Sequence, residues 1–184
     1  MKIRIIAAAV MAVIVISAFA GCSETLNPTG DPTAPETKIE ELTFDKVDFA
    51  SLSVDPDALI EALNGKLTFD DKALFPLDDE IAASLYKVSG LCEDMSVVGS
   101  TGATAECIAF FVAADEAGAK TVEGKLTDYC AEMSRVYSGY NAVEADKLTK
   151  AFIIQNGKYV LMCVSPDSAA AEKEYKDYIV SLAK

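Results

Sequence analysis

The sequence predicts an α+β fold: an antiparallel sheet of about four strands from two hairpins, flanked by a long central helix, a C-terminal helix and short N-terminal helices. Three observations carry this expectation. A long segment after Asp115 repeats apolar residues at helical spacing; "KAFIIQNGKYVLMCVS" holds Asn156-Gly157 between two apolar runs; and two β-rich runs flank "GSTGAT". Strand runs that follow each other directly across short turns pair antiparallel, which separates this order from an alternating βαβ pattern.

The first helix is expected at "DPDALIEALNG", with Asp55 as N-cap, Pro56 at the first helical position, Ala58, Leu59, Ala62 and Leu63 on one stripe, and Gly65 as the stop. A second short helix is expected in "LDDEIAASLYKVSG", capped by Asp78 or Asp79 and ended near Gly90. Between them "KLTFDDKALF" has no decisive period. The first hairpin runs from Met95 to Val98 and from Glu106 to Val112. Asp115 then caps a long helix along Ala119, Val122, Leu126, Cys130, Met133 and Tyr137, with Gly139 beyond its end. In the second hairpin, a two-residue turn centred on Asn156-Gly157 sets Gln155 opposite Lys158, Ile154 opposite Tyr159 and Ile153 opposite Val160. Ser165-Pro166-Asp167 opens the last helix, with Tyr175, Tyr178, Ile179 and Leu182 on one side. "ECIAFFV" and "YVLMCV" are apolar on both faces, so both faces of the sheet should be at least partly covered, one by the long helix and part of the other by the N-terminal helices.

Ahead of this domain, expected over residues 43–184, lie two different segments. Lys2 and Arg4, the apolar "IIAAAVMAVIVISAFA" and the small residues Ala20 and Gly21 read as a targeting segment, residues 1–21, cut between Gly21 and Cys22. Residues 22–42 hold three of the chain's six prolines with Thr, Asp and Glu, a composition too polar to fold, and form a tether with a reach of about 25 Å. Phe19-Ala20-Gly21-Cys22 resembles the lipobox of bacterial lipoproteins, with Phe19 where leucine is more usual. That resemblance implies a covalent diacylglycerol lipid on Cys22 and a chain held on the extracytoplasmic face of the cell membrane. Each buried methylene contributes about 0.8 kcal/mol, so two acyl chains hold a domain that one would not.

Cleavage would leave 14 basic residues (16 less Lys2 and Arg4) against 29 acidic ones, net −15. Phosphate backbones and anionic lipid heads repel such a chain, so nucleic acid is not an expected partner and membrane affinity must come from the lipid. Cys92, Cys107, Cys130 and Cys163 sit among apolar neighbours at spacings that match no metal or redox motif. Buried free thiols are the expectation, with one or two core disulfides as the alternative.

Histidine and tryptophan are absent. Ser-His-Asp and Cys-His catalysis, histidine-ligated metals and the indole platform of many sugar sites are thereby excluded. No phosphate-binding loop is present, and no catalytic residue, metal ligand or cofactor other than the lipid is expected. The acidic pairs Asp70-Asp71 and Asp78-Asp79-Glu80 lack calcium-loop spacing and are read as helix starts and solvated faces. Three positions remain as candidate polar or binding residues: Glu106, Arg135 and Tyr140. Arg135, the one arginine left after cleavage, is expected to pair locally with Glu132, Asp128 or Glu106; Glu106 precedes an apolar strand and, if half buried, needs a donor such as Arg135 or Lys158.

Leu85-Tyr86 after an acidic helix start, "TGATAECIAFFVAAD", Arg135 and Tyr140 near the end of the long helix, and "GKYVLMCVS" together resemble the domain-of-unknown-function family 4358, lipoproteins of Gram-positive anaerobes. The resemblance covers about residues 55–184 and the lipobox; it departs at Cys107, where a second acidic residue is common. It implies a fold and an address, because the family's activity is itself unassigned. The expected function is therefore a lipid-anchored, extracytoplasmic, non-catalytic protein that binds a protein or cell-envelope partner. The alternative is a small-ligand or divalent-cation sensing accessory subunit of a membrane transporter.

Overall fold

The computed structural model describes residues 42–184; the expected targeting segment, Cys22 and the tether lie outside the described residues. A 3₁₀ turn at Phe44–Lys46 leads into α1 (Pro56–Asn64). Asp55 begins α1 as expected, its Oδ1 accepting from the N–H groups of Asp57 and Ala58 at 3.0 and 3.1 Å. The chain continues through β1 (Phe75–Pro76), α2 (Asp79–Leu85), β2 (Cys92–Gly99) and β3 (Cys107–Ala113). It then forms α3 (Glu116–Ser138), α4 (Ala142–Thr149), β4 (Phe152–Asn156), β5 (Tyr159–Val164) and α5 (Ser168–Leu182).

The strands form one antiparallel sheet in the order β1-β2-β3-β5-β4. Every residue of β3 and β5 is buried, because these two strands lie inside the sheet and both of its faces are covered. Cys107, Ala109 and Phe111, with Val160 and Met162, meet Val122, Leu126 and Cys130 of α3. Ile108, Phe110 and Val112, with Tyr159 and Leu161, meet Leu59 and Leu63 of α1 and Tyr175 and Ile179 of α5. The N-terminal helices are therefore divided: α1 lies on the α5 face, whereas Ala82 and Tyr86 bring α2 to the α3 face.

The α+β class and antiparallel sheet are as expected, and four details of the elements differ. The sheet has a fifth, two-residue strand, β1, just beyond the stretch that shows no period. α4 has no counterpart in the reading, although Asn141-Ala142-Val143-Glu144 after Gly139 has the spacing of a capping sequence and Asn141 Oδ1 accepts from Glu144 N. The second hairpin turns on Gly157-Lys158, not Asn156-Gly157, so that Asn156 faces Tyr159, Gln155 faces Val160 and Ile154 faces Leu161. Gly157 has φ +55° and Asn156 does not enter the left-handed region, so the positive φ sits at the first central position, as in a type II′ turn. Each pairing moves by two residues, which keeps every side chain on its expected face. α2 also ends earlier than Gly90, at Leu85, where Lys87 takes φ +58°. Cys92, Cys107, Cys130 and Cys163 are free thiols.

Candidate functional site

Glu106 sits at the entrance of β3 and is 1% exposed. Its two oxygens accept from the backbone N–H groups of Asp70 (2.9 Å) and Asp71 (2.8 Å), from Thr104 Oγ1 (3.2 Å) and from Lys147 Nζ (2.9 Å). Lys147, on α4, also donates to Glu144 Oε1 at 2.9 Å and Asp70 Oδ2 at 2.7 Å. Glu144 in turn accepts from Ala105 N at 2.8 Å. All three ammonium protons have acceptors, and the surplus of carboxylate charge is met by backbone N–H groups and a hydroxyl, the condition under which buried charges are tolerated. Burial alone would lower the lysine's pKa, yet the bonds to Asp70, Glu144 and Glu106 together raise it well above its usual value. Such a lysine stays an ammonium and neither attacks nor takes a proton at neutral pH.

This cluster corrects the expected partners. Neither Arg135 nor Lys158 reaches Glu106: Lys158 lies 3.9 Å from Glu93 on the surface, and Arg135 Nε donates to Ala131 O at 3.2 Å. Among the described residues Arg135 makes no ion pair, so the expected local acid partner is absent. Asp70 and Asp71 do not start a helix; their N–H groups strap the connection between α1 and α2 onto Glu106, and Ser100 Oγ donates to Asp71 Oδ2 at 2.6 Å. That hydroxyl bond holds the Asp71 carboxyl below its usual range. Asp78 does cap α2, accepting from Glu80 N at 2.9 Å. The signal that was missed is the pair Glu144 and Lys147, one helical turn apart in the overlooked α4.

Above the cluster a groove runs between α2 and α3. One part, of about 250 Å³, is lined by Leu85, Tyr86, Lys125, Tyr129 and Met133. Another, of about 150 Å³, shares Leu85, Tyr86, Tyr129 and Met133 and continues to Thr104, Glu106 and Tyr137. Its floor is aromatic: the Tyr86 ring lies 4.8 Å from Tyr129 and 5.7 Å from Phe111, both edge-on. Burial pushes the Tyr86 phenol and, to about 11, the Cys107 thiol up, so both are protonated and unreactive as nucleophiles at neutral pH.

The chain matches no family model, no curated protein and no solved structure. Function must therefore be argued from the side chains themselves. Beside the groove, Tyr140 packs its ring 5.1 Å from Tyr137 and is 70% exposed. Val136 (51%) and Val143 (64%) are exposed around the same α3–α4 corner, next to Arg135, which makes no ion pair among the described residues; Ile81 and Leu85 are exposed one turn apart on α2. Of the three candidate residues, Arg135 and Tyr140 are thus outward and near each other in sequence, and Glu106 is inward.

Proposed function

We propose that the protein is a lipid-anchored, extracytoplasmic, non-catalytic module that binds a protein partner in the cell envelope, and that it belongs with the family its motifs resemble. The observation that carries the binding role is the α3–α4 corner: exposed Tyr140, Val136 and Val143 beside Arg135, whose guanidinium has no carboxylate partner among the described residues. Tyrosine and arginine, set among aliphatic contacts that exclude water, dominate binding energy where proteins meet. The titratable groups nearest the groove support a non-catalytic reading, since Lys147 is locked as an ammonium and Cys107 and Tyr86 are held neutral.

The test places a photo-crosslinking residue at position 140 of the intact chain in its own membrane, with the same probe at position 173 on α5 as the control. A protein adduct at 140 that is absent at 173 and is lost in Arg135→Glu supports the reading; equal adducts at both positions overturn it. Mass spectrometry of the membrane form tests the anchor, and an unmodified Cys22 or a retained residue 1–21 segment sinks that half. The groove favours a second reading, a small-ligand accessory role, because it has an aromatic floor. The exposed residue types of the α3–α4 corner nevertheless favour a protein surface over a ligand site.

A further inference from the structure

The two edges of the sheet are unequal. At one end β1 is two residues long and contains Pro76, the arrangement by which edges resist further pairing. At the other end β4 is five residues, Phe152-Ile153-Ile154-Gln155-Asn156, with no charge, proline or bulge. Hydrogen-bond parity shows which of its backbone groups are spare. Ala113 N–H donates to Lys158 O at 2.9 Å, so alternate residues of the β5 strand starting from Lys158 bond towards β3. Tyr159, Leu161 and Cys163 therefore bond towards β4, to Asn156, Ile154 and Phe152. The N–H and C=O groups of Ile153 and Gln155 point off the sheet, and among the described residues none of these four groups has a hydrogen-bond partner. Beside this edge, on the α3 face, lies an apolar hollow formed by Thr127, Cys130, Ala131, Leu148, Ala151 and Ile153.

We infer that the β4 edge receives an extended segment of another protein as a sixth strand, with an apolar side chain entering the hollow beside Ile153 and with basic residues flanking the strand. Donors and acceptors spaced two residues apart fit an extended backbone and not a helix or a small molecule. Side chains of an added strand alternate between the α3 face, where the hollow is, and the α5 face beside Phe152 and Ile154. The choice of another protein over a second copy rests on charge. The chain carries −13, so two copies repel. The two lysines that bracket β4 are each met by an acid, Lys150 by Asp146 Oδ2 at 2.6 Å and Lys158 by Glu93 Oε2 at 3.9 Å. The surplus negative charge therefore attracts lysine or arginine at the ends of an added strand. This surface includes none of Arg135, Val136, Tyr140 and Val143 and stands whether or not Cys22 is lipidated.

The experiment follows single amides of the full-length chain in detergent micelles by hydrogen exchange. The probe is a synthetic heptapeptide of alternating threonine and valine with lysine at both ends. Binding is expected to slow exchange at Ile153 and Gln155 by at least about tenfold and to leave Phe152 and Ile154 unchanged, a two-residue alternation that only strand addition produces. The same peptide N-methylated at alternate residues should have no effect, a control that leaves the protein intact. A version with glutamate at both ends should bind at least about tenfold more weakly. Unchanged exchange at Ile153 and Gln155 at millimolar peptide overturns the inference, as does equal protection by the N-methylated peptide. Equal binding of the glutamate version overturns the basic flanks, and slowing that grows with the chain's own concentration without peptide shows a second copy instead.

Discussion

Lys147 Nζ and Glu106 Oε1 lie 2.9 Å apart across 41 residues of sequence, and both side chains are buried. This bond ties α4 to the entrance of β3, and through the amides of Asp70 and Asp71 it also holds the connection between α1 and α2. Removing the cation leaves Glu106 and Glu144 buried without their charged partner. Lys147→Met is therefore expected to cost about 3–5 kcal/mol, read from urea unfolding. A loss below about 1 kcal/mol would show that backbone donors alone carry the two carboxylates.

Stability is expected to fall at alkaline pH. The raised pKa of Lys147 contributes stability that is present below the unfolded lysine value near ~10.4 and is lost as pH rises through the folded value. The thiols act in the same direction and earlier. Burial pushes Cys107 up to about 11 and Cys130 and Cys163 up to about 12, so above ~8.5 the unfolded chain loses these protons first. Urea midpoints should be level near neutrality and decline from about pH 8.5 upward. A midpoint that rises between pH 8 and pH 10 would contradict this assignment.

Gly157→Ala should destabilise the second hairpin. The new Cβ would stand 3.1 Å from Phe49 Cβ, and φ +55° is unfavourable for a side-chain-bearing residue. A loss of about 1–2 kcal/mol is expected in thermal unfolding, against a gain of about 0.5–1 kcal/mol for Gly124→Ala, where open space surrounds the added carbon and the residue lies inside a helix.

Arg135→Ala should leave stability within about 0.5 kcal/mol, because its guanidinium holds only the Ala131 carbonyl of its own helix. Loss of the crosslink at position 140 with unchanged unfolding would separate a binding role from a structural one. A clear loss of stability would instead place the arginine in the fold.

Thiol mapping should rank the cysteines by access. Cys92 is half-buried, and Cys107, Cys130 and Cys163 are buried. Alkylation of the native chain should label Cys92 first, with the other three labelled only on unfolding; early labelling of Cys130 would show that α3 lifts from the sheet.

The fold was legible where local chemistry is unambiguous. Asp55-Pro56, the long period after Asp115 and the two apolar hairpins each follow from caps, spacing and β-branching within about twenty residues. The turn was misplaced by one residue because Asn-Gly favours a two-residue turn at its own position, whereas here Gly157 alone takes the positive φ and stands at the first central position. The site was less legible. That Glu106 needs a donor follows from its place before an apolar strand, but the donor comes from Lys147 in a helix of only eight residues whose charged pattern resembles a surface turn. Long-range pairing of that kind leaves no periodic trace. Arg135 shows the converse, since nearby acids in the sequence say nothing about where rotamers carry them.

The central junction of β3 with β5 also governs how the molecule assembles. β2 with β3, and β4 with β5, close across short turns, but Val112 meets Tyr159 only after α3 and α4 have been placed between them. Each hairpin forms from neighbours in sequence, whereas joining them closes a long loop before any of its contacts are gained. The joining of the two hairpins is thus expected to set the folding rate. Until it occurs, β3 and β5 each expose an all-apolar edge, and this is the interval in which the chain is most prone to aggregate.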